Sequence, residues 1–166
     1  LRDPPSAFPR TVGLEDSTHP TKNYVDRSVS SEISGLQPAR SGSPLVPTPA
    51  DMDENGHVNN IVYVRWLQEV ATAHWAAVAP AEAQARFVWV ISRHEIDYRA
   101  ASFAGEVLTA ETWGENPKGA RFDRCTRITG PDGEVRVEAR TTWVIMDREL
   151  QRPARLRPEL VGLFLK

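Results

Sequence analysis

The feature that most constrains this chain is a change of hydrophobic period partway along it. From Asn60 to Ala79 the residues Tyr63, Trp66, Leu67, Val70, Ala71 and Trp75 recur at three- and four-residue steps, and Pro80 closes the run. That spacing sets them on one stripe of a single long helix. Downstream, segments 86–98, 105–114, 120–129 and 134–147 alternate or run apolar, with breaks at 100–104, 116–119 and 130–133. The last two breaks, Asn-Pro-Lys-Gly and Gly-Pro-Asp-Gly, have the composition of hairpin turns. In the final segment Val135, Val137, Ala139, Thr141, Trp143 and Ile145 share one face while Glu134, Arg136, Glu138 and Arg140 share the other. Such a sheet has one packed and one wet face. With a first strand expected at about 44–51 and a short helix at 158–165, the fold class is α+β. It consists of one long helix wrapped by a curved antiparallel sheet of about five strands.

The first fifty residues differ in character. They hold eight of the 13 prolines and no tryptophan, and their apolar residues keep no period for long. Residues 1–44 read as a proline-rich extension and residues 45–166 as one folded domain, with the core starting near Ser43.

Composition removes several function classes. A formal charge of −2 and a pI near 6.1 lack the basic surplus of a nucleic-acid binder. Cys125 is the only cysteine, so neither a disulfide framework nor a cysteine-based metal site is expected. No apolar run reaches the length of a membrane span, and no signal segment opens the chain, which starts at Leu1. The reading is a cytoplasmic protein without membrane contact, metal or cofactor.

Residues 51–63 carry the chemistry. Asp51, Asp53, Asn55, Gly56, His57, Asn59 and Asn60 crowd into one turn-like stretch that opens onto the helix. A carboxylate beside an amide and an imidazole, at a helix start whose N–H groups favour negative charge, has the makings of an anion-stabilising site with its own acid/base group. The residues alone leave a second reading open, in which Asp53 or Asn55 caps the helix or closes an Asx turn. Asn59 is the expected cap.

The run Asp-x-Asp-x-x-Gly-His-Val-Asn-Asn-x-x-Tyr over 51–63 resembles the hot-dog thioesterases, in particular the 4-hydroxybenzoyl-CoA thioesterase-like family and the acyl-ACP thioesterases. The resemblance extends to Arg93-His94-Glu95-Ile96-Asp97-Tyr98, to Gly105-Glu106-Val107-Leu108 with Thr112-Trp113, and to Arg152-Pro153-Ala154-Arg155. It covers about 45–166. Pro44, Pro47 and Pro49 make the first strand an edge or an irregular one.

The resemblance implies hydrolysis of an acyl thioester carried by CoA or acyl carrier protein, at a site between two subunits of a dimer or dimer of dimers. Asp53 matches the family's carboxylate, as base or nucleophile, and Asn55 and His57 match the groups that accompany it in the acyl-ACP branch. The backbone N–H of Asn60 matches the donor that polarises the thioester carbonyl, a role that helix-start N–H groups fill without reorganisation. Gly56 allows a tight turn and close approach of substrate. Glu69 matches a helix glutamate that orients a water or His57, or else is a structural partner near the subunit boundary. Arg121, Arg124 and Arg127 are candidates for the phosphates of CoA, against the plain reading of a solvated strand face. His94 and Cys125 read as sheet residues, and Trp66 and Trp75 as core. The rival is a non-catalytic acyl-thioester binder on the same fold, which has no need of the carboxylate. A dehydratase is disfavoured because the His-Phe-Pro and Asn-Pro-x-His arrangements are missing.

Overall fold

The computed structural model describes residues 41–164. The expected extension therefore lies outside the described residues except for 41–44. The elements are β1 (Ser41–Leu45), a 3₁₀ turn (Pro49–Asp51), α1 (Asn60–Val78), α2 (Ala81–Arg86), β2 (Phe87–Tyr98), β3 (Leu108–Lys118), β4 (Arg121–Thr129), β5 (Val135–Asp147), β6 (Arg152–Pro153) and α3 (Pro158–Val161). The strands form one antiparallel sheet in the order β1-β3-β4-β5-β2, with the short β6 added to β5. The sheet curls around α1. Among the described residues no helix is long and apolar enough to cross a membrane.

Several boundaries depart from expectation for local reasons. The first strand is 41–45 rather than 44–51, because Pro47 and Pro49 cannot donate to a ladder and Pro49 instead opens the 3₁₀ turn. Pro44 is tolerated because β1 is an edge, paired only with β3. α2 was not anticipated, since six residues are too few to establish a period. β3 starts at Leu108 and runs through Asn116 and Pro117 by way of an irregularity between Glu115 and Lys118, with Asn116 at φ 50°. The terminal helix is shorter than expected.

Asn59 caps α1 as its composition suggests, its side chain accepting the Ile61 N–H at 3.0 Å. The helix buries Val62, Tyr63, Trp66, Leu67, Val70, Ala71 and His74. The buried stripe thus ends in a histidine that the apolar pattern passed over. Beneath it lie two apolar compartments. One gathers Val58, Val62, Tyr63, Trp66, Leu67 and Val70 onto Leu108, Ala110, Ile128, Val137 and Ala139. The other gathers Phe122, Ile145, Leu156, Leu160, Val161 and Phe164, with Trp75 and Trp89 at its edge.

Between the compartments runs a buried polar row made of Thr112 on β3, Arg124 and Thr126 on β4, Thr141 on β5 and His74 on α1. The register accounts for it, because Thr112 faces Thr126 and Arg124 faces Thr141 across the ladders. The row is hydrogen-bonded throughout: Thr112 Oγ1 donates to the Cys125 carbonyl at 3.0 Å, Thr126 Oγ1 to Thr112 Oγ1 at 3.2 Å, and Arg124 Nη1 lies 2.9 Å from His74 Nδ1. A polar group in a core costs little only when satisfied in this way.

The other face of the sheet is charged, with Arg127 gripping Glu138 through Nε at 3.1 Å and Nη2 at 2.8 Å. Arg136, expected on that wet face, is buried instead. The 130–133 turn folds over it, and it pairs with Glu134 at 2.6 Å and Asp132 at 2.7 Å.

Candidate active site

Asp51 and Asp53 sit in one short loop but do different work. Asp51 is buried, and its Oδ2 accepts the Thr48 N–H and hydroxyl, both at 2.8 Å, while Oδ1 meets Arg65 at 2.7 Å. Both oxygens are consumed in holding the 3₁₀ turn against α1. Its pKa is lowered by the Thr48 N–H first and then by Arg65.

Asp53 closes a stapled turn. Its own N–H donates to the His57 carbonyl at 2.8 Å and its carbonyl accepts the Gly56 N–H at 3.1 Å. Its Oδ1 accepts the Asn55 N–H at 2.8 Å and the His57 N–H at 3.2 Å. The Asx turn weighed against catalysis is therefore present, but it occupies one oxygen only. Oδ2 has a single long contact, 3.5 Å to the Asn55 side-chain amide. Partial burial pushes the Asp53 pKa up, yet the bonds from His57 and Asn55 outweigh it and hold the carboxyl below its ordinary range. Asp53 is an anion at neutral pH, and Oδ2 is the less engaged of its two oxygens.

Gly56 has φ 75°, which an L side chain adopts only with strain. Nothing lies within 4 Å of the place a Cβ would take, so conformation, not crowding by the chain itself, is what asks for glycine here. The loop is seated at its far end, where Val58 donates to the Ser102 carbonyl at 2.9 Å and Asn59 to the Asp51 carbonyl at 2.9 Å. Val58 is buried, while Asn55 and His57 are exposed. The His57 ring stands edge-on to Phe103 with centroids 5.4 Å apart. Tyr98 reaches the Asn60 carbonyl at 3.4 Å, so the β2–β3 connection walls this side of the loop. The Asn59 cap engages the N–H groups of Ile61 and Val62 and passes over that of Asn60.

Asp53, Asn55, Gly56, His57 and Asn60 are thus gathered at one helix start, and the other candidates are not. Glu69 lies nine residues beyond Asn60, about 14 Å along the helix axis. It is exposed and paired at 3.6 Å with Arg65. The three β4 arginines do not act together. A strand has a period of two, so Arg121 and Arg127 share the charged face while Arg124 turns inward beneath α1. Arg124 is 5% exposed and unable to form a surface phosphate site with the other two. His74, its partner, is the residue the sequence reading missed. The signal for it was its place three and four residues after Ala71 and Val70, on the buried stripe. Among the described residues no cluster of His, Cys, Asp and Glu is arranged to hold a metal ion.

Residues 47–164 match the family described as the Thioesterase-like superfamily. No curated protein matches the chain in sequence. Among solved structures, it is similar to a 1,4-dihydroxy-2-naphthoyl-CoA thioesterase from Synechocystis, with TM-score 0.66 and 15% identity over 75% of this chain and 95% of that one. A predicted thioesterase from Bacillus stearothermophilus has TM-score 0.67 and 23% identity over 75% and 94%. An acyl-ACP thioesterase from Bacteroides thetaiotaomicron has TM-score 0.64 and 24% identity over 70% of this chain, which spans 49% of that protein.

Proposed function

The chain belongs to the Thioesterase-like superfamily and has its hot-dog fold, and from that premise we propose that it hydrolyses an acyl thioester with Asp53 as the reacting carboxylate. The observation that carries this is the division of labour within Asp53. Oδ1 is fixed by two backbone N–H groups, which leaves Oδ2 oriented and ionised for chemistry. As a base, Oδ2 takes a proton from water as the water oxygen bonds to the thioester carbon. The Asn60 N–H at the helix start supports the oxyanion that forms. Collapse breaks the C–S bond and the thiolate recovers the proton, giving acid and thiol. As a nucleophile, Oδ2 instead forms a mixed anhydride that water then cleaves. Single turnover in ¹⁸O-water separates the two, since only the anhydride route can carry label into the Asp53 carboxylate.

CoA and acyl carrier protein are both admissible carriers, the neighbours including thioesterases for each. The functional unit is proposed to be a dimer or dimer of dimers. β2 is a twelve-residue edge strand, and α1 turns Ile61, Val64, Gln68, Thr72 and Ala73 outward along an open groove of about 750 Å³. A second subunit on that side covers both and places Glu69 at the boundary. Long bare edges of this kind are normally paired or protected.

The test is a panel of acyl-CoA and acyl-ACP substrates run with wild type and Asp53→Asn. Turnover that disappears in a folded D53N variant supports the hydrolase. Ligand binding with no wild-type turnover supports the non-catalytic binder instead.

A further inference from the structure

At the border of the second apolar compartment lies a charge that no described residue balances. Arg124 Nη1 meets His74 Nδ1 at 2.9 Å and Thr112 Oγ1 at 3.4 Å, and its guanidinium carbon lies 4.9 Å from the centre of the Phe164 ring. Among the described residues no carboxylate pairs with it. His74 cannot supply a counter-charge, and burial first and then Arg124 lower its pKa to about 4, so it adds no second cation at neutral pH. A cation taken from water without a counter-ion is among the costliest groups a core can hold.

Arg124 also lines a cavity of about 320 Å³, together with Trp75, Phe87, Trp89, Phe122 and Trp143. The indole N–H groups of Trp89 and Trp143 are buried and have no acceptor among the described residues. The lining is therefore mainly aromatic and apolar with an excess of donors, and it carries two cations, the buried Arg124 and the exposed Arg148, and no carboxylate. Gln68, Thr72 and Ala76 line both this cavity and the open groove along α1, and the groove begins at Ile61, next to Asn60. From Ile61 to Ala76 the path follows the helix for about 22 Å.

We propose that the cavity receives the far end of the acyl group and that this end bears a carboxylate, with Arg124 as its counter-ion. The inference rests on the thioester hydrolysis proposed above and narrows its substrate class to the monothioester of a long-chain dicarboxylic acid. The methylene chain lies along the groove. The guanidinium, held by His74 and Thr112, meets the terminal carboxylate in a charge-assisted bond that strengthens in an apolar wall.

The experiment compares ω-carboxyacyl-CoA thioesters, from adipoyl to hexadecanedioyl, with monocarboxylic acyl-CoA thioesters of the same length. The expected result is a kcat/KM preference of about tenfold or more for the dicarboxylic member at long chain lengths. In Arg124→Gln the preference should fall to near one. No preference at any length, or a preference that survives R124Q, overturns the proposal. Because R124Q removes a buried group, wild-type protein is also titrated with dodecanedioic acid, dodecanoic acid and the diacid monomethyl ester, read by tryptophan fluorescence. Saturable quenching by the diacid at concentrations where the other two have no effect supports the site, and equal responses refute it. If neutral acyl-CoA is hydrolysed but no diacid is preferred, the cavity inference falls and the hydrolase stands. If diacid quenches fluorescence but no thioester is cleaved, the reverse holds.

Discussion

Asp51 and Asp53, two positions apart, are held by opposite means: Asp51 spends both oxygens on Thr48 and Arg65, while Asp53 spends one on the loop backbone. Substituting each by asparagine should separate stability from catalysis. Asp53→Asn keeps the turn nearly isosteric and should lower kcat by about 10²–10⁴ with little change in Tm. Asp51→Asn breaks a charge-assisted bond to Arg65 and should lower Tm while retaining most turnover of the folded fraction. Steady-state kinetics beside thermal melts check both, and full activity in D53N refutes the assignment.

Gly56→Ala forces an alanine to φ 75° in open space. The expected cost is about 1 kcal/mol, from conformation alone. Because the strain falls inside the turn that orients Asp53, kcat should drop more than Tm suggests. A kcat unchanged from wild type would show that the turn does not set the geometry of the carboxylate.

His74 gives the fold a dependence on pH. Its pKa falls from 6.5 to about 4 in the native state, through burial and then Arg124. Between those values the unfolded chain binds the proton and the native chain resists it. The stabilisation is therefore complete above pH 6.5, declines as pH falls and is gone below about 4. His74→Gln keeps a hydrogen-bond acceptor near Arg124 without titrating, so it should flatten Tm against pH across that window. The slope that persists belongs partly to His94, whose pKa burial also lowers. An unchanged slope in H74Q would remove His74 from the account.

Gly114 faces the ring of Phe122, and a Cβ there would fall within the ring's van der Waals envelope. Phe122 is fully buried, so its ring gives way only toward the cavity it lines. Gly114→Ala should destabilise by about 1–3 kcal/mol, measured by denaturant melts, and the paired change G114A with Phe122→Leu should recover part of the loss.

Light scattering should show a dimer or dimer of dimers, and a chain beginning at Ser41 should stay folded, since it keeps every described strand and helix and both apolar compartments. A stable active monomer refutes the first expectation. An insoluble truncation refutes the second and moves the domain boundary toward the start of the chain.

Much of this architecture was legible because local chemistry and tertiary packing agree. Asn59 caps where an asparagine before an apolar stripe should, the stripe from Tyr63 to Ala71 is buried, and β4 and β5 fall almost where alternation places them. The misses have physical causes. β1 is written in Ser-Gly-Ser-Pro-Leu, which carries no period and becomes a strand only through its pairing with β3. Arg124 was grouped with Arg121 and Arg127 by its type, although strand geometry sends it to the other face. Arg136 lies on a polar face in sequence and is buried by a turn that alternation alone does not reveal.

The polar row through Thr112, Arg124, Thr126, Thr141 and His74 makes the interior two neighbouring solvents rather than one. Side chains on either side of it share few direct contacts, so substitutions in Ile128 or Val62 and substitutions in Trp89 or Phe122 should act nearly additively on stability. The half that seats the Asp53 loop can then stay fixed while the half around Trp89 is recut for a different acyl end. In such a protein, substrate range can drift without the catalytic turn having to move.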